Sequence, residues 1–159
     1  MRVGNPIRPV AIWLGGRSWM PQFLPIIVRL DMFIRRLTGG RISLLTFAGL
    51  PELFLTVVGR KSGLPRTTPL LCVPHEGGWL VAGSNWGGPK APAWVFNLAD
   101  AETATVEFKG RETTVTATRV EGAERERLWR VMNQTWPNYD SYAVRTEREI
   151  QVFRLTPMS

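Results

Sequence analysis

The sequence has very few of the residues from which proteins build metal sites or nucleophilic triads. Its 159 residues include one cysteine, Cys72, and one histidine, His75. A single cysteine excludes an internal disulfide, and a zinc site needs more ligands than this chain offers. A Ser-His-Asp triad would have to use His75, and no Gly-x-Ser-x-Gly motif accompanies it. We therefore expect no metal, a packed thiol at Cys72, and redox chemistry only through a cofactor.

Long hydrophobic runs are also missing. No stretch of 18 or more apolar residues occurs, so no membrane-spanning helix is predicted. Near the N-terminus, Pro9, Gly15, Gly16 and Arg17 interrupt the apolar residues, unlike the core of a secretory signal. The expected location is the cytoplasm, with peripheral attachment to the inner face of the cell membrane as an alternative.

Acidic residues are too few to balance the basic ones. The chain has 13 aspartates and glutamates against 20 lysines and arginines, which gives a net charge of +7. Residues 1–41 alone hold seven arginines and one acidic residue, Asp31. This surplus favours acidic partners, such as a polyanionic cofactor or an anionic membrane surface. No nucleic-acid-binding motif is present, so no nucleic acid partner is expected.

Short apolar runs separated by glycine and proline predict a mostly β (α+β) fold. Strands are predicted at 53–58, 67–74, 79–84, 104–108, 112–119 and 149–155, with short helices at 92–98 and 122–134. Residues 136–145 are predicted to be an aromatic-rich loop or short helix. Six strands with few helices favour a small antiparallel barrel, because closure removes exposed sheet edges. We expect an irregular segment at 1–24 and one cofactor-binding domain at 25–159.

An amphipathic helix is predicted to start at Pro25 and to end at Gly39-Gly40. Its apolar positions follow helical spacing at Ile26, Ile27, Leu30, Phe33, Ile34 and Leu37. Two interpretations remain open. The face packs on the domain's own core, or residues 1–41, with Trp13 and Trp19, lie on an anionic membrane.

A basic turn separates the first two predicted strands. Gly59 and Gly63 flank Arg60 and Lys61, and Arg66 follows. The glycines let a ligand approach the backbone, and the cations suit phosphate or carboxylate groups. The alternative is a basic hairpin that is merely solvated.

A second loop follows the third predicted strand and precedes a helix. It runs Gly83-Ser84-Asn85-Trp86-Gly87-Gly88-Pro89-Lys90-Ala91-Pro92-Ala93-Trp94. Backbone N–H groups at a helix start attract anions, and the two tryptophans offer flat surfaces for a ring system. The two loops together predict one cleft with an anionic end and a ring end.

These two motifs resemble those of the deazaflavin (F420)-dependent nitroreductase family, also described as F420H2-dependent quinone reductases. The resemblance rests on Gly59-Arg60-Lys61-Ser62-Gly63-x-Pro65-Arg66-x-Thr68-Pro69-Leu70, and on Ser84-Asn85-x-Gly87-Gly88-x-Lys90-x-Pro92-Ala93-Trp94-x-x-Asn97-Leu98. It covers roughly residues 28–155. It implies a six-stranded split β-barrel of the flavin-binding superfamily that binds coenzyme F420 in a surface groove.

The resemblance also implies the binding residues. Arg60, Lys61 and Ser62 would hold the phosphate and oligoglutamate tail of the cofactor. The full implied set is Arg60, Lys61, Ser62, Arg66, Thr67, Thr68, Pro69, Leu70, Leu71, Ala82, Gly83, Ser84, Asn85, Lys90, Ala93, Trp94, Val95, Phe96 and Asn97.

The family's acceptor pocket is aromatic, and the matching positions here are Trp136, Tyr139 and Tyr142, joined by Leu71 and Trp86. The chain departs from the family pattern at Leu71, where a well-studied member has tyrosine, and at Trp86. Ser84, Tyr139 and Tyr142 are the predicted catalytic residues. The alternative for the aromatic segment is a packed C-terminal lid.

The expected function is hydride transfer from reduced deazaflavin to an electron-poor acceptor such as a quinone. One alternative is a split-barrel protein that binds FMN or haem. The other is a non-catalytic deazaflavin-binding protein at the membrane surface. A monomer and a homodimer both remain open.

Overall fold

The computed structural model describes residues 5–39 and 43–159. The chain divides into two compact units, Met1–Pro51 and Glu52–Ser159. The division therefore falls after Pro51, whereas the sequence suggested a boundary between residues 24 and 25. The amphipathic helix belongs to the N-terminal unit because it packs with the short elements that precede it.

The N-terminal unit is helical. Its elements are α1 (Ile7–Gly15), a 3₁₀ turn (Met20–Phe23), α2 (Leu24–Leu37) and α3 (Leu44–Phe47). The irregular segment predicted for 1–24 is wrong over α1. Pro6 supplies a helical φ of −65° before its first turn, and the Asn5 side chain accepts a hydrogen bond from Ile7 N at 3.0 Å.

Helix α2 ends at Leu37, and Gly39 follows with φ +63°, as predicted for a helix stop. The paired Gly40, and Arg41 of the basic segment, lie outside the described residues.

Most of the apolar side chains of α2 are exposed, and the packing of this face on the domain's own core stays a prediction. Ile26 is 62% exposed, Phe33 58% and Leu37 71%. Trp13 of α1 is also exposed. Within the described part of the chain, no helix has the length and apolar character needed to cross a bilayer.

The second unit is built on one antiparallel sheet of seven strands. These are β1 (Glu52–Val58), β2 (Pro65–Leu71), β3 (Val73–His75), β4 (Gly78–Ala82), β5 (Ala104–Phe108), β6 (Arg111–Val120) and β7 (Val152–Pro157). Their order is β2-β1-β5-β6-β7-β4-β3. The mostly β, antiparallel barrel prediction is confirmed, as a sheet curled into a half-barrel.

Seven strands appear rather than six because the predicted strand 67–74 is divided at Cys72. β2 and β3 lie at opposite edges of the sheet although only Cys72 separates them. The chain therefore passes from one edge to the other at this residue, and the sheet has to curl to allow it. Cys72 is fully buried at this crossing, which confirms the predicted packed thiol.

The core lies inside the curl. β1 alternates as predicted, with Leu53, Leu55 and Val57 buried. Val115 of β6 is buried on the same side of the sheet, in one cluster with the β1 residues and Trp94. This core supports the strand ends from which the site loops emerge.

Three helices and a short 3₁₀ turn surround the sheet. They are α4 (Ala93–Asp100), α5 (Gly122–Thr135), α6 (Asn138–Arg145) and the turn Asn85–Gly87. The open choice for residues 136–145 is settled as a helix from Asn138. Trp129 Nε1 of α5 donates to the Asp140 carboxylate at 2.7 Å, which fastens α6 to α5.

Candidate functional site

The basic turn is fixed by the register of β1 and β2. Val58 pairs with Pro65, which leaves residues 59–64 as the connection. Gly59 N donates to Leu64 O at 2.8 Å, and Gly63 N donates to Gly59 O at 2.8 Å. Gly63 has φ +69°, a conformation that favours glycine. The turn is therefore a compact hydrogen-bonded loop.

The donors of this turn point to an anionic ligand. Arg60, Lys61 and Arg66 are exposed, and no carboxylate pairs with any of them among the described residues. The backbone N–H groups of Lys61 and Ser62 also have no hydrogen-bond acceptor in the part of the chain that the structure describes. Unpaired cations beside unpaired backbone donors form an arrangement that suits phosphate and carboxylate groups.

Helix α4 forms the opposite wall of a cleft of about 810 Å³. Asn97 of this helix accepts a hydrogen bond from Arg60 N at 3.1 Å, and the Arg60 guanidinium lies 5.1 Å from the centre of the Phe96 ring. The lining residues are Gly59, Arg60, Lys61, Ser62, Pro65, Arg66, Thr67, Thr68, Ala91, Ala93, Trp94, Phe96 and Asn97. A volume of this size is in the range of small-molecule sites.

Some residues of each predicted motif line this cleft, and others do not. The predicted residues that line it are Arg60, Lys61, Ser62, Arg66, Thr67, Thr68, Ala93, Trp94, Phe96 and Asn97. The predicted residues that do not line it are Pro69, Leu70, Leu71, Ala82, Gly83, Ser84, Asn85, Lys90 and Val95. Val95 is buried in the core cluster because the inner face of α4 covers the sheet. Trp94 is also mostly buried and packs near Phe153, with ring centres 6.1 Å apart.

The loop between β4 and α4 has an unusual backbone. Asn85, Trp86 and Gly87 have φ values of +43°, +57° and +77° in succession. Left-handed φ is tolerated by asparagine and glycine, but for a tryptophan it costs about 1–3 kcal/mol. The Trp86 conformation must therefore be held by its surroundings.

Contacts from the C-terminal segment surround this loop. The Trp86 ring lies 6.0 Å from that of Tyr142, and Arg145 Nη1 approaches Trp86 O at 3.4 Å. A Cβ added to Gly87 would lie 2.8 Å from Tyr142 O, so only glycine allows this close approach. Arg148 donates to three carbonyl oxygens of the loop, on Gly83, Ser84 and Gly88.

Ser84 is half-buried at the start of this loop. Its carbonyl oxygen accepts hydrogen bonds from Gly87 N at 2.9 Å and from Arg148 Nη2 at 3.0 Å. Its hydroxyl has no partner among the described residues and caps no helix. The hydroxyl is therefore available to donate to a ligand.

The predicted acceptor residues Trp136, Tyr139 and Tyr142 form a packed cluster. Tyr139 is 3% exposed and Tyr142 is 4% exposed. Trp136 Nε1 donates to the Tyr142 hydroxyl oxygen at 3.3 Å. The phenol rings of Tyr139 and Tyr142 meet edge to face, with centres 6.4 Å apart. The Trp86 ring is tilted against that of Tyr142, at the edge of this cluster formed by the loop after β4.

Burial sets the protonation of this cluster. It raises the pKa of Tyr142 to about 12, although the Trp136 hydrogen bond and the Arg145 charge act in the opposite direction. Burial also raises the pKa of Tyr139. Both phenols therefore stay neutral near pH 7, where each can donate a hydrogen bond but cannot act as a base.

Arg145 and Arg148 were not predicted from the sequence. Arg145 ends the aromatic segment and Arg148 follows it, and each contacts carbonyl groups about 60 positions away along the chain. Burial lowers the pKa of Arg148, and no carboxylate pairs with this residue within the described residues. Isolated arginines in a charged segment give no sequence signal that distinguishes them from solvated ones.

A curled antiparallel half-barrel with a basic cleft beside a helix defines a class of protein, the split-barrel cofactor-binding proteins. The donor set fits a cofactor that carries a phosphate and carboxylates, because three unpaired cations flank one wall. A model of the F420H(2)-dependent quinone reductase family matches residues 27–157. The chain belongs to that family, whose cofactor is coenzyme F420.

Individual relatives agree with this assignment. An F420H(2)-dependent quinone reductase of Mycobacterium tuberculosis is 32% identical over 142 residues, which cover 87% of this chain and 95% of the relative. The solved F420-H2 dependent reductase FDR-A is 35% identical, and its match has a TM-score of 0.61. The matched region covers 66% of this chain and 93% of the FDR-A chain.

Two further solved structures extend the comparison. A domain-swapped dimer is 32% identical, covers 82% of this chain and 98% of its own, and has a TM-score of 0.64. The haem storage protein HutZ of Vibrio cholerae is 15% identical over 82% of this chain and 91% of its own, with a TM-score of 0.53. The likeness to HutZ shows the fold alone.

The buried thiol of Cys72 and the buried phenol of Tyr142 predict a loss of stability at alkaline pH. Burial, with a smaller effect of Glu52, raises the pKa of Cys72 from 9.0 to about 12, and burial raises that of Tyr142 from 10.0 to about 12. Above pH 9 the unfolded chain thus binds fewer protons than the folded chain, so the free energy of unfolding falls as pH rises. This stability is fully present below pH 9 and is lost as pH approaches 12.

Urea unfolding at several pH values measures this slope, to which each proton difference contributes up to about 1.4 kcal/mol per pH unit. The Tyr142→Phe variant should show a shallower fall above about pH 10 than the unmodified chain. Equal slopes for the two proteins would show that Tyr142 does not titrate as its burial implies.

Proposed function

We propose that this chain binds coenzyme F420 in the cleft between the basic turn and α4, and reduces an electron-poor acceptor such as a quinone. The observation that carries the proposal is the unpaired basic turn on the wall of an open cleft, in a chain of this family. Three exposed cations without carboxylate partners create a positive potential that attracts and holds an anionic ligand.

The phosphate and carboxylate tail would lie against Arg60, Lys61 and Arg66. Ser62 and the free backbone N–H groups of the turn would add neutral donors. Asn97 supports the arrangement because its hydrogen bond to Arg60 N ties the turn to α4. The ring end would extend toward the loop that starts at Ser84, beyond the residues that line the cleft.

Coenzyme F420, when bound in its reduced form, supplies a hydride. The protein would orient the acceptor, exclude water and stabilise the negative charge that develops on the acceptor oxygen. Ser84 is the proposed donor, since its hydroxyl has no partner within the described residues. Tyr142 would be a neutral donor nearby, because its raised pKa keeps its proton in place. Tyr139, more deeply buried, would support Tyr142.

Trp86 would be the residue that shapes the acceptor site. Its ring lies 6.0 Å from that of Tyr142, on a backbone with a left-handed φ. Leu71, half-buried at the end of β2, offers no hydroxyl at a position where the family pattern has tyrosine. Both features favour a flat, apolar acceptor ring over a small polar one.

FMN is the main competing cofactor, because it also carries a phosphate and an isoalloxazine ring. Haem is a weaker competitor, since the residues that line the cleft include no histidine, cysteine or methionine to bind iron. A binding protein that stores deazaflavin without turnover would use the same cleft and would differ only in its lack of acceptor reduction.

A second proposed property is contact with an anionic membrane through the N-terminal unit. The exposed apolar side chains of α2 stand on a helix whose last turn carries Arg35 and Arg36. Exposed apolar residues beside cations are typical of interfacial helices. Similarity to a domain-swapped dimer supports a homodimer as the alternative use of these side chains.

Titration with oxidised F420, FMN and FAD in parallel tests the cofactor. We expect selective F420 binding, weakened roughly 10- to 100-fold in Lys61→Ala/Arg66→Ala because two charge-assisted contacts are lost. The matched control is Lys109→Ala/Arg111→Ala at the turn between β5 and β6, which removes the same amount of positive charge outside the cleft. Selective FMN binding, or equal losses in the two double variants, would contradict the proposal.

Steady-state reduction of a quinone by reduced F420 tests the proposed donors. Ser84→Ala should lower kcat roughly 10- to 100-fold while changing the F420 Kd by less than about threefold, because the hydroxyl acts at the acceptor. Tyr142→Phe should lower kcat by a smaller factor. Unchanged rates in both variants would remove these residues from the mechanism.

Cosedimentation with anionic phospholipid vesicles tests the membrane contact. The full-length Phe33→Ser/Leu37→Ser variant should bind vesicles at least about tenfold more weakly than the unmodified chain, since two apolar anchors are lost. The control is Val144→Ser/Met158→Ser, which changes two exposed apolar residues of the second unit. If both double variants bind equally well, the helix is not the anchor.

A further inference from the structure

Arg148 holds the loop after β4 by its backbone. Its Nη2 atom donates to Gly83 O and to Ser84 O, each at 3.0 Å, and its Nε donates to Gly88 O at 3.1 Å. Two of the acceptors lie at the start of the loop, and the third, on Gly88, lies near its middle. One planar guanidinium therefore joins the end of β4 to the middle of the loop, 60 to 65 residues away from Arg148 in sequence.

The chemistry of these contacts requires arginine. A guanidinium presents five N–H donors in a rigid fork, whereas a lysine ammonium is a point charge on a flexible stem. Arg148 is half-buried, and no carboxylate competes for it within the described residues. Its remaining contact is also neutral, from Nη1 to Gln151 Oε1 at 3.5 Å. The four hydrogen bonds of the guanidinium thus all go to backbone and amide oxygens.

The loop needs such support because its backbone is strained. Three consecutive residues, Asn85 to Gly87, have positive φ, and one of them is Trp86. Conformations of this kind persist only where the surrounding structure fixes them. Among the described residues, the loop's own hydrogen bonds run from Gly87 N to Ser84 O at 2.9 Å, from Gly88 N to Asn85 O at 2.8 Å and from Asn85 Nδ2 to Lys90 O at 2.9 Å. The first two each involve a residue, Ser84 or Gly88, whose carbonyl oxygen also accepts from Arg148.

We propose that Arg148 is a positioning residue, which fixes the Ser84 hydroxyl and the Trp86 ring through the loop backbone without touching cofactor or acceptor. The predicted effect of Arg148 on the reaction rate rests on the proposed function, whereas its predicted effect on the loop does not. The hydrogen bond from Arg148 to the Ser84 carbonyl oxygen limits rotation of the backbone at Ser84, and so fixes the direction of the Ser84 side chain. A loss of this bond would therefore move the hydroxyl rather than remove it.

Hydrogen–deuterium exchange of the loop, measured without any ligand, tests the structural part. In Arg148→Ala the amides of Gly87 and Gly88 should exchange at least about tenfold faster than in the unmodified protein. Arg148→Lys should give an intermediate rate, because one ammonium cannot bond all three carbonyl groups. The control is Arg127→Ala, which removes an exposed arginine of α5 that forms an ion pair with Glu124.

Kinetics test the positioning part. Arg148→Ala should lower kcat for quinone reduction roughly 10- to 100-fold, while the F420 Kd rises by less than about threefold, since the tail-binding turn is untouched. Millimolar guanidinium added to this variant should restore part of the lost kcat. A purely structural role would instead lower the melting temperature and weaken cofactor binding along with kcat, with no rescue.

The two readouts separate the failure of this inference from failure of the proposed function. Unchanged exchange in Arg148→Ala overturns the inference, whether or not the protein reduces quinones. Faster exchange with unchanged kcat also overturns it, because the loop would then not position a catalytic group. If the unmodified chain binds no F420, the proposed function fails, and exchange alone decides whether Arg148 holds the loop. If Arg148→Ala does not fold, Arg148→Lys and Arg148→Gln supply the same comparisons.

Discussion

The pairing of β1 with β2 is the constraint on which the rest of the site depends. Because Val58 pairs with Pro65, the six residues between them must close in a tight turn, and the cations of the turn are brought together on one side. The inward side chains of β1 bury the strand in the core, so this register is strongly specified. The bond from Arg60 N to Asn97 then sets the distance between the turn and α4. The basic cleft is thus a consequence of strand register.

A second constraint acts at the other loop, where the fold holds a strained backbone from the C-terminal side. Gly87 approaches α6 more closely than any other residue type could, and two arginines contact the loop's carbonyl groups. The cleft is therefore supported by the barrel, and the loop after β4 by the C-terminal segment. Under the proposed function, this separation would let the acceptor site vary without loss of the cofactor cleft.

Local patterns in the sequence were sufficient for most strands, for the basic turn and for the loop before α4, because each depends on residues close together in the chain. They were insufficient at Cys72, where the division into β2 and β3 arises from closure of the sheet and not from the local pattern. They also missed Arg148, whose partners in the loop lie 60 to 65 positions away. The exposure of Phe33 and Leu37 was not predictable either, since an amphipathic period does not specify what covers the apolar face.

The central claim is that the β1–β2 turn binds the anionic tail of the deazaflavin cofactor. The most direct test compares the Kd of F420 with that of the deazaflavin lacking its phosphate and glutamates, in the unmodified chain and in Lys61→Ala/Arg66→Ala. We predict that the unmodified chain prefers F420 by at least roughly tenfold, that salt weakens this preference, and that the double variant loses most of it. Equal affinities in the unmodified chain, or a preference that survives in the variant, would contradict the account.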